Sequence, residues 1–151
     1  MLVQRTAYDK NRVSGWWNYL AQAGYIVVSQ DVRGRYASDG EFESQWRLTT
    51  HDAEDGYDTV EWAAKLPGST GKVGTLGVSD PARHQWRLAP LRPPSLVAMS
   101  ACSMAAHLWD VEGPHTIRPA FRLEWLAMMA TDMRRRAHLP GPQTAVPVGP
   151  H

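Results

Sequence analysis

The segment Gly77 to Pro81, G-V-S-D-P, sets a serine between a run that reads as a strand, Lys72 to Val78, and a plausible helix, Ala82 to Leu91. A serine at so sharp a strand-to-helix turn stands in the position of a nucleophile elbow. There the hydroxyl projects from the edge of a sheet and the next backbone N–H points at an acyl oxygen. Small neighbours let strand and helix approach, and Gly77 and Ala82 supply them. The chemistry would be acyl transfer through Ser79. The plainer reading is a helix cap, since serine ahead of a first-turn proline is a common helix start.

Other chemistry-bearing groups read more simply. His51, Asp55 and Asp58 share a helical face and have metal-ligating side chains, but at a helix start such residues ordinarily cap and solvate it, so no metal is expected. No cofactor is expected either. Asp31 and Arg33 read as an ion pair holding a loop. Arg134 to Arg136 lack interleaved aromatics and read as a solvated, dipole-complementing helix end rather than a nucleic-acid contact. Asp110 with His115 and Asp132 with His138 are ordered acid–histidine pairs after Ser79, and each reads as a surface pair rather than part of a triad.

These residues must be positioned by a small set of elements. Leu2 to Thr6 reads as a short strand with nothing before it to pair against, an element entered midway. Ser14 can cap a helix over about 15 to 23 whose apolar face carries Trp16, Leu20 and Ala23, with Gly24 placed for a left-handed C-terminal cap. Tyr25 to Ser29 is a continuous apolar run of the kind found in central parallel strands, followed by a long loop from Asp31 to Phe42 at its carboxyl end, where sites are usually lined. Thr49 or Thr50 can cap the next helix. Asp52, Glu54 and Asp55 complement its dipole, Val60, Trp62, Ala63 and Leu66 form its apolar face, and Pro67-Gly68 stops it. Leu96 to Ala101 is a further apolar strand. Strands alternating with helices predict a doubly wound parallel sheet.

Composition narrows the partners. With 16 Lys and Arg against 15 Asp and Glu, no long-range field marks a nucleic-acid or membrane partner. Cys102 is the one cysteine, which excludes an internal disulfide framework and a thiolate-based zinc site. Neither a signal core nor an apolar run long enough to span a bilayer is present, so a cytoplasmic location is expected. Prolines crowd after Ala89, and from Leu139 on the Pro and Gly content predicts disorder.

Four blocks carry a more specific likeness: R-T-A-Y-D-K (Arg5 to Lys10), G-Y-I-V-V-S-Q-D-V-R-G-R-Y-A-S-D-G-E-F (Gly24 to Phe42), D-A-E-D-G-Y-D-T-V-E-W (Asp52 to Trp62) and G-K-V-G-T-L-G-V-S (Gly71 to Ser79). In order and spacing they resemble the X-Pro dipeptidyl-peptidase-like hydrolases, a group that includes cocaine esterases and α-amino acid ester hydrolases. The resemblance implies a Ser-Asp-His triad acting through an acyl-enzyme on esters or amides. Ser79 matches the nucleophile, Tyr8 the tyrosine whose hydroxyl supplies one oxyanion donor, and the backbone N–H of Asp80 the other. Such donors act on charge that develops in the transition state, each worth about a hundred- to a thousand-fold in rate. The family carries a tyrosine after the serine, where this chain has Asp80-Pro81. A residue before proline is pushed from the helical region, which would misaim the Asp80 N–H, and a carboxylate there would repel an oxyanion. The family's acid and histidine lie beyond the length of this chain, so none is assigned.

The sequence therefore predicts a partial α/β-hydrolase fold over residues 1–138, a mostly parallel sheet with helices on both faces and an irregular C-terminal third, then a Pro/Gly-rich disordered tail over 139–151. The expected function is a serine hydrolase of small acyl esters, amides or peptides, truncated and weakly active or inactive alone, with a second chain as the partner that would complete the fold. The alternative is a non-catalytic, degenerate half-fold.

Overall fold

A computed structural model describes residues 1–12, 15–43, 50–104 and 119–140. The chain divides into two compact units, 1–106 and 107–151.

In the first unit four strands, β1 (Leu2–Thr6), β2 (Val27–Asp31), β3 (Val73–Val78) and β4 (Leu96–Cys102), form one sheet in the order β2-β1-β3-β4. All pairings are parallel. Three helices connect them: α1 (Gly15–Gln22), α2 (Asp52–Ala64) and α3 (Asp80–Leu88), the last running into a 3-10 turn over Ala89–Leu91. The fold class is the expected one, a parallel sheet of α/β-hydrolase type. Helices α2 and α3 pack on each other and on β1 and β3. The crossover from β1 through α1 to β2 and the crossover from β2 through α2 back past β1 to β3 run in opposite directions along the sheet, so right-handed connections place α1 on the face opposite α2.

The sheet order corrects two expectations. β1 has neighbours on both sides, pairing Leu2 with Val27 and with Gly74. Its partners come later in the chain and are reached through crossover connections, so an absence of preceding strands says nothing about its place. The apolar run expected to be central instead forms β2 at one end of the four, with β1 between it and β3. It also starts at Val27, because Leu20, Ala21, Gly24 and Tyr25 close a Schellman turn. The Gly24 N–H donates to Ala21 and that of Tyr25 to Leu20, and Gly24 takes φ +90°.

Val3, Val60, Ala63, Val73 and Leu88 form the buried core between the sheet and the α2–α3 layer, the valines and the leucine each contributing about 1.5–3 kcal/mol by leaving water. In α1 it is Trp17 that is buried, while Trp16 is 72% exposed and stacks edge-on against Tyr19. In α2 the buried positions are Gly56, Thr59, Val60 and Ala63, and Trp62 faces outward. Val60 and Ala63 are buried as expected, whereas Trp16 and Trp62 point outward, because tryptophan tolerates half-exposure and the small residues decide how closely a helix can sit. His51, not Thr50, occupies the N-cap position of α2, while Thr50 Oγ1 accepts a long bond from the Asp52 N–H at 3.4 Å. Ser14, Thr49, Asp110 and His115 lie outside the described residues.

In the second unit, α4 (Pro119–Arg136) is a regular helix in a segment from which the sequence promised little order. Arg134, Arg135 and Arg136 occupy its last turn as dipole-complementing charges, and Arg135 donates to the Asp132 carboxylate at 2.8 Å. Of the expected tail, residues 141–151 lie outside the described residues.

Candidate active site

Strand order reverses between β1 and β3: the chain winds from β1 outward to β2, and from β3 outward to β4. The crevice beyond the carboxyl ends of strands at such a switch point is where doubly wound sheets bind ligands. Ser79 immediately follows β3 and Tyr8 lies two residues past β1, so both stand at this edge.

The backbone at Ser79 has φ +63° and ψ −119°, a strained conformation for a residue with a β-carbon. Ser79 sits at the N-cap position of α3, yet its side chain makes no capping hydrogen bond. The hydroxyl is not spent on the helix. Its own N–H donates to the Cys102 carbonyl at 3.0 Å, tying the turn to β4. Gly77 is required two residues before it, since a β-carbon there would lie 2.5 Å from Pro81 Cβ and 2.7 Å from the Pro81 carbonyl carbon. Behind the turn, Thr75 Oγ1 donates to Gln85 Oε1 at 3.0 Å and Gln85 Nε2 donates to the Ser100 carbonyl at 3.1 Å, which stitches α3 to β3 and β4.

The Asp80 carboxylate does not face the edge. It is 2% exposed, with Oδ1 2.8 Å from Arg83 Nη2 and Oδ2 3.1 Å from His84 Nε2. Two cationic partners neutralise it inside the protein, which corrects the expectation that it would repel an oxyanion. Helix α3 begins at Asp80 with Pro81 in its first turn, where a missing N–H costs no intrahelical bond.

The loop after β2 ties down the residue before Tyr8. Arg35, fully buried, donates from Nε to the Ala7 carbonyl at 3.1 Å and lies 5.1 Å from the ring centroids of both Tyr36 and Phe42. Asp31 accepts from the backbone N–H of Lys10 at 2.7 Å and of Ala37 at 3.2 Å. Arg33 turns instead to Asp55, with Nε 2.8 Å from Oδ2, so the expected Asp31–Arg33 pair is replaced by two separate clasps. The reason is reach: α2 brings Asp55 alongside the loop, which sequence proximity could not reveal.

His84 is the functional-looking residue that sequence reasoning missed. Its Nδ1 lies 2.8 Å from Asp52 Oδ2 on α2 and its Nε2 3.1 Å from Asp80 Oδ2 one turn back on α3. Burial alone would lower its pKa, but the Asp80 and Asp52 carboxylates outweigh burial and raise it to about 9. Burial likewise pushes Asp52 upward, and His84, Arg5 and Arg87 overcome it, holding the carboxyl well below the usual range. Asp80 is held low in the same way by His84 and Arg83. Both ring nitrogens therefore carry protons and donate. Asp80 and His84 stand four apart, a spacing visible in the sequence; the Asp52 contact was not.

His51 Nδ1 pairs with Glu43 Oε1 at 2.8 Å and Arg33 occupies Asp55. Among the described residues no group of three or more His, Cys, Asp or Glu side chains is placed to hold a metal, and no helix is long and apolar enough to cross a membrane. A groove of about 440 Å³ runs beside Gln30, Asp39, Asp58 and Trp62 and includes neither Ser79 nor Tyr8.

A family model described as X-Pro dipeptidyl-peptidase (S15 family) matches residues 1–146. The cocaine esterase of Rhodococcus sp. (strain MB1 Bresler) is 32% identical over 142 residues, which is 88% of this chain and 24% of that protein. Among solved structures, an aminopeptidase from a marine sediment Thaumarchaeota archaeon superposes with a TM-score of 0.62 at 26% identity, covering 71% of this chain and 21% of the other. A CocE/NonD family hydrolase from Staphylococcus aureus superposes with a TM-score of 0.56 at 32% identity, covering 65% and 21%. The chain thus spans about a quarter of the length of the curated relative it matches.

Proposed function

The chain belongs to the X-Pro dipeptidyl-peptidase (S15) family, and from that premise we propose that its chemistry is hydrolysis of small acyl esters, amides or peptides through an acyl-enzyme on Ser79. The observation that carries this reading is the backbone at Ser79, strained at φ +63° between a strand and a helix, with a hydroxyl not used for capping. Strain of this kind persists where surrounding structure enforces it and clusters at active sites. In the reaction the Ser79 oxygen adds to the acyl carbon while its proton passes to a base. The alcohol or amine then leaves with a proton, and water hydrolyses the acyl-serine. The oxyanion formed on addition would be met by the Tyr8 hydroxyl and the Asp80 backbone N–H.

A second reading, a non-catalytic half-fold, is favoured by His84. With both nitrogens protonated and held by carboxylates, its ring has no lone pair to accept the Ser79 proton. The base and its acid partner would then come from a second chain or from further sequence, and residues 1–104 by themselves would turn over slowly or not at all.

Labelling with a fluorophosphonate probe, beside a Ser79→Ala control, separates the two. Slow labelling that added imidazole accelerates, confined to Ser79, supports a poised nucleophile lacking its base. Labelling that imidazole does not change and that Ser79→Ala does not remove leaves the non-catalytic reading. Rapid stoichiometric labelling without imidazole would mean that a working base is already present.

A further inference from the structure

We propose that His84 is a positioning residue: its ring, hydrogen-bonded to Asp52 on α2 and to Asp80 on α3, fixes the turn that carries Ser79 and the Asp80 backbone N–H. The proposal rests on the reading of Ser79 and Asp80 as reaction groups. It adds a residue that takes no part in the chemistry yet sets its geometry.

The argument begins with the elements on either side. Asp80 is both the first residue of α3 and the residue whose N–H would meet the oxyanion. Its side chain is clamped at both oxygens, by Arg83 at 2.8 Å and His84 at 3.1 Å. A clamped side chain restrains the peptide it grows from. Arg83 lies on the same helix and cannot register α3 against anything else. His84 can, because its other nitrogen reaches Asp52 on α2 at 2.8 Å. Asp52 in turn lies 2.9 Å from Arg5 Nη1 on β1, three residues before Tyr8. A continuous chain of ion pairs, Arg5–Asp52–His84–Asp80, therefore joins the strand that leads to one proposed oxyanion donor with the residue that carries the other.

Each ring nitrogen of His84 faces a carboxylate oxygen, so only the doubly protonated ring donates to both. Asp52 and Asp80 are 11% and 2% exposed at the side chain, and two buried carboxylates sharing a neutral ring would repel each other. The remaining charges around the ring are Arg5 from β1, Asp55 from α2, Arg83 and Arg87 from α3, and Arg33 and Glu43 from the loop side of a cavity of about 20 Å³ that His84 lines. A neutral ring would leave one carboxylate without a donor, so the turn should loosen as the ring loses its proton.

NMR of the ¹⁵N-labelled chain tests this without turnover. Expected at pH 7 is a His84 ring with both nitrogens protonated, and between pH 7 and 10 an Asp80 amide that shifts with the same midpoint as that ring. His84→Gln should remove this titration and shift the amides of Ser79, Asp80, Ala82 and Arg83 while leaving β1 and β4 in place. Three results overturn the proposal: a singly protonated ring at pH 7, an Asp80 amide that stays still while His84 titrates, or changes in His84→Gln spread evenly through strands and helices. If His84→Gln does not fold, the unmodified chain's titration decides. Failure of Ser79 to label under any condition would remove the hydrolase reading but leave this result standing, so the two can fail separately.

Discussion

Asp80 Oδ2 lies 3.1 Å from His84 Nε2, so the carboxylate that follows the candidate nucleophile is turned into the protein and held by a cation one helical turn on. The residue that looked most damaging to the elbow is thereby held by a partner four residues later on the same helix.

This pair sets the pH dependence of stability. The His84 pKa is raised from 6.5 to about 9, so its contribution is complete below about pH 6.5 and is lost as pH rises towards 9. Asp52 and Asp80 are held below their usual value of 3.8, so theirs is complete above about pH 4 and is lost as pH falls. Urea unfolding should therefore show greatest stability between about pH 4 and 6.5, with a decline on the alkaline side of up to about 3 kcal/mol. His84→Gln should flatten that alkaline decline. An unfolding midpoint that is constant from pH 6 to 9 in the unmodified chain would contradict the assignment.

Gly77→Ala should destabilise the chain by about 1–3 kcal/mol, the usual cost of overpacking. Its added methyl would lie 2.5 Å from Pro81 Cβ and 2.7 Å from backbone, so α3 must move away from β3. Denaturant midpoints measure the loss. Unchanged stability would mean that strand and helix are farther apart at the elbow than described.

Ser79 itself should be a site where function costs stability. At φ +63° glycine is less strained than any residue with a β-carbon. Ser79→Gly should be more stable than Ser79→Ala by roughly 0.5–1 kcal/mol, read from paired thermal melts. Equal melting temperatures would show that the turn relaxes in solution.

Tyr8→Phe should lower kcat for Ser79-dependent ester hydrolysis more than it raises KM, by about a hundredfold, because the lost hydrogen bond forms mainly in the transition state. The measurement is steady-state kinetics on an activated ester against the Ser79→Ala background. An effect confined to KM would assign Tyr8 to substrate binding.

Local signals in the sequence were sufficient for the elements of the first unit and for the turn at Ser79, though not for the helix Pro119–Arg136. Gly24 ended α1, the β-branched and apolar runs became strands, the acidic first turn of α2 stands where it was read, and G-V-S-D-P bends from strand to helix at Ser79. Each depends on residues within a turn or two of one another, where propensity, capping and sterics act. The blocks from Arg5 to Ser79 carried the family likeness for the same reason: they are contiguous. What only the tertiary structure decided are the pairings between elements. That β1 lies inside the sheet and β2 at its end follows from the direction of each crossover, which periodicity does not encode. That Trp17 rather than Trp16 is buried depends on which face meets β2. His84 reaches Asp52 across 32 residues of chain, and Arg33 chooses Asp55 over Asp31 because a helix brings that carboxylate alongside. Buried charges find partners by proximity in space, and that proximity exists only once the sheet and its helices have closed around them.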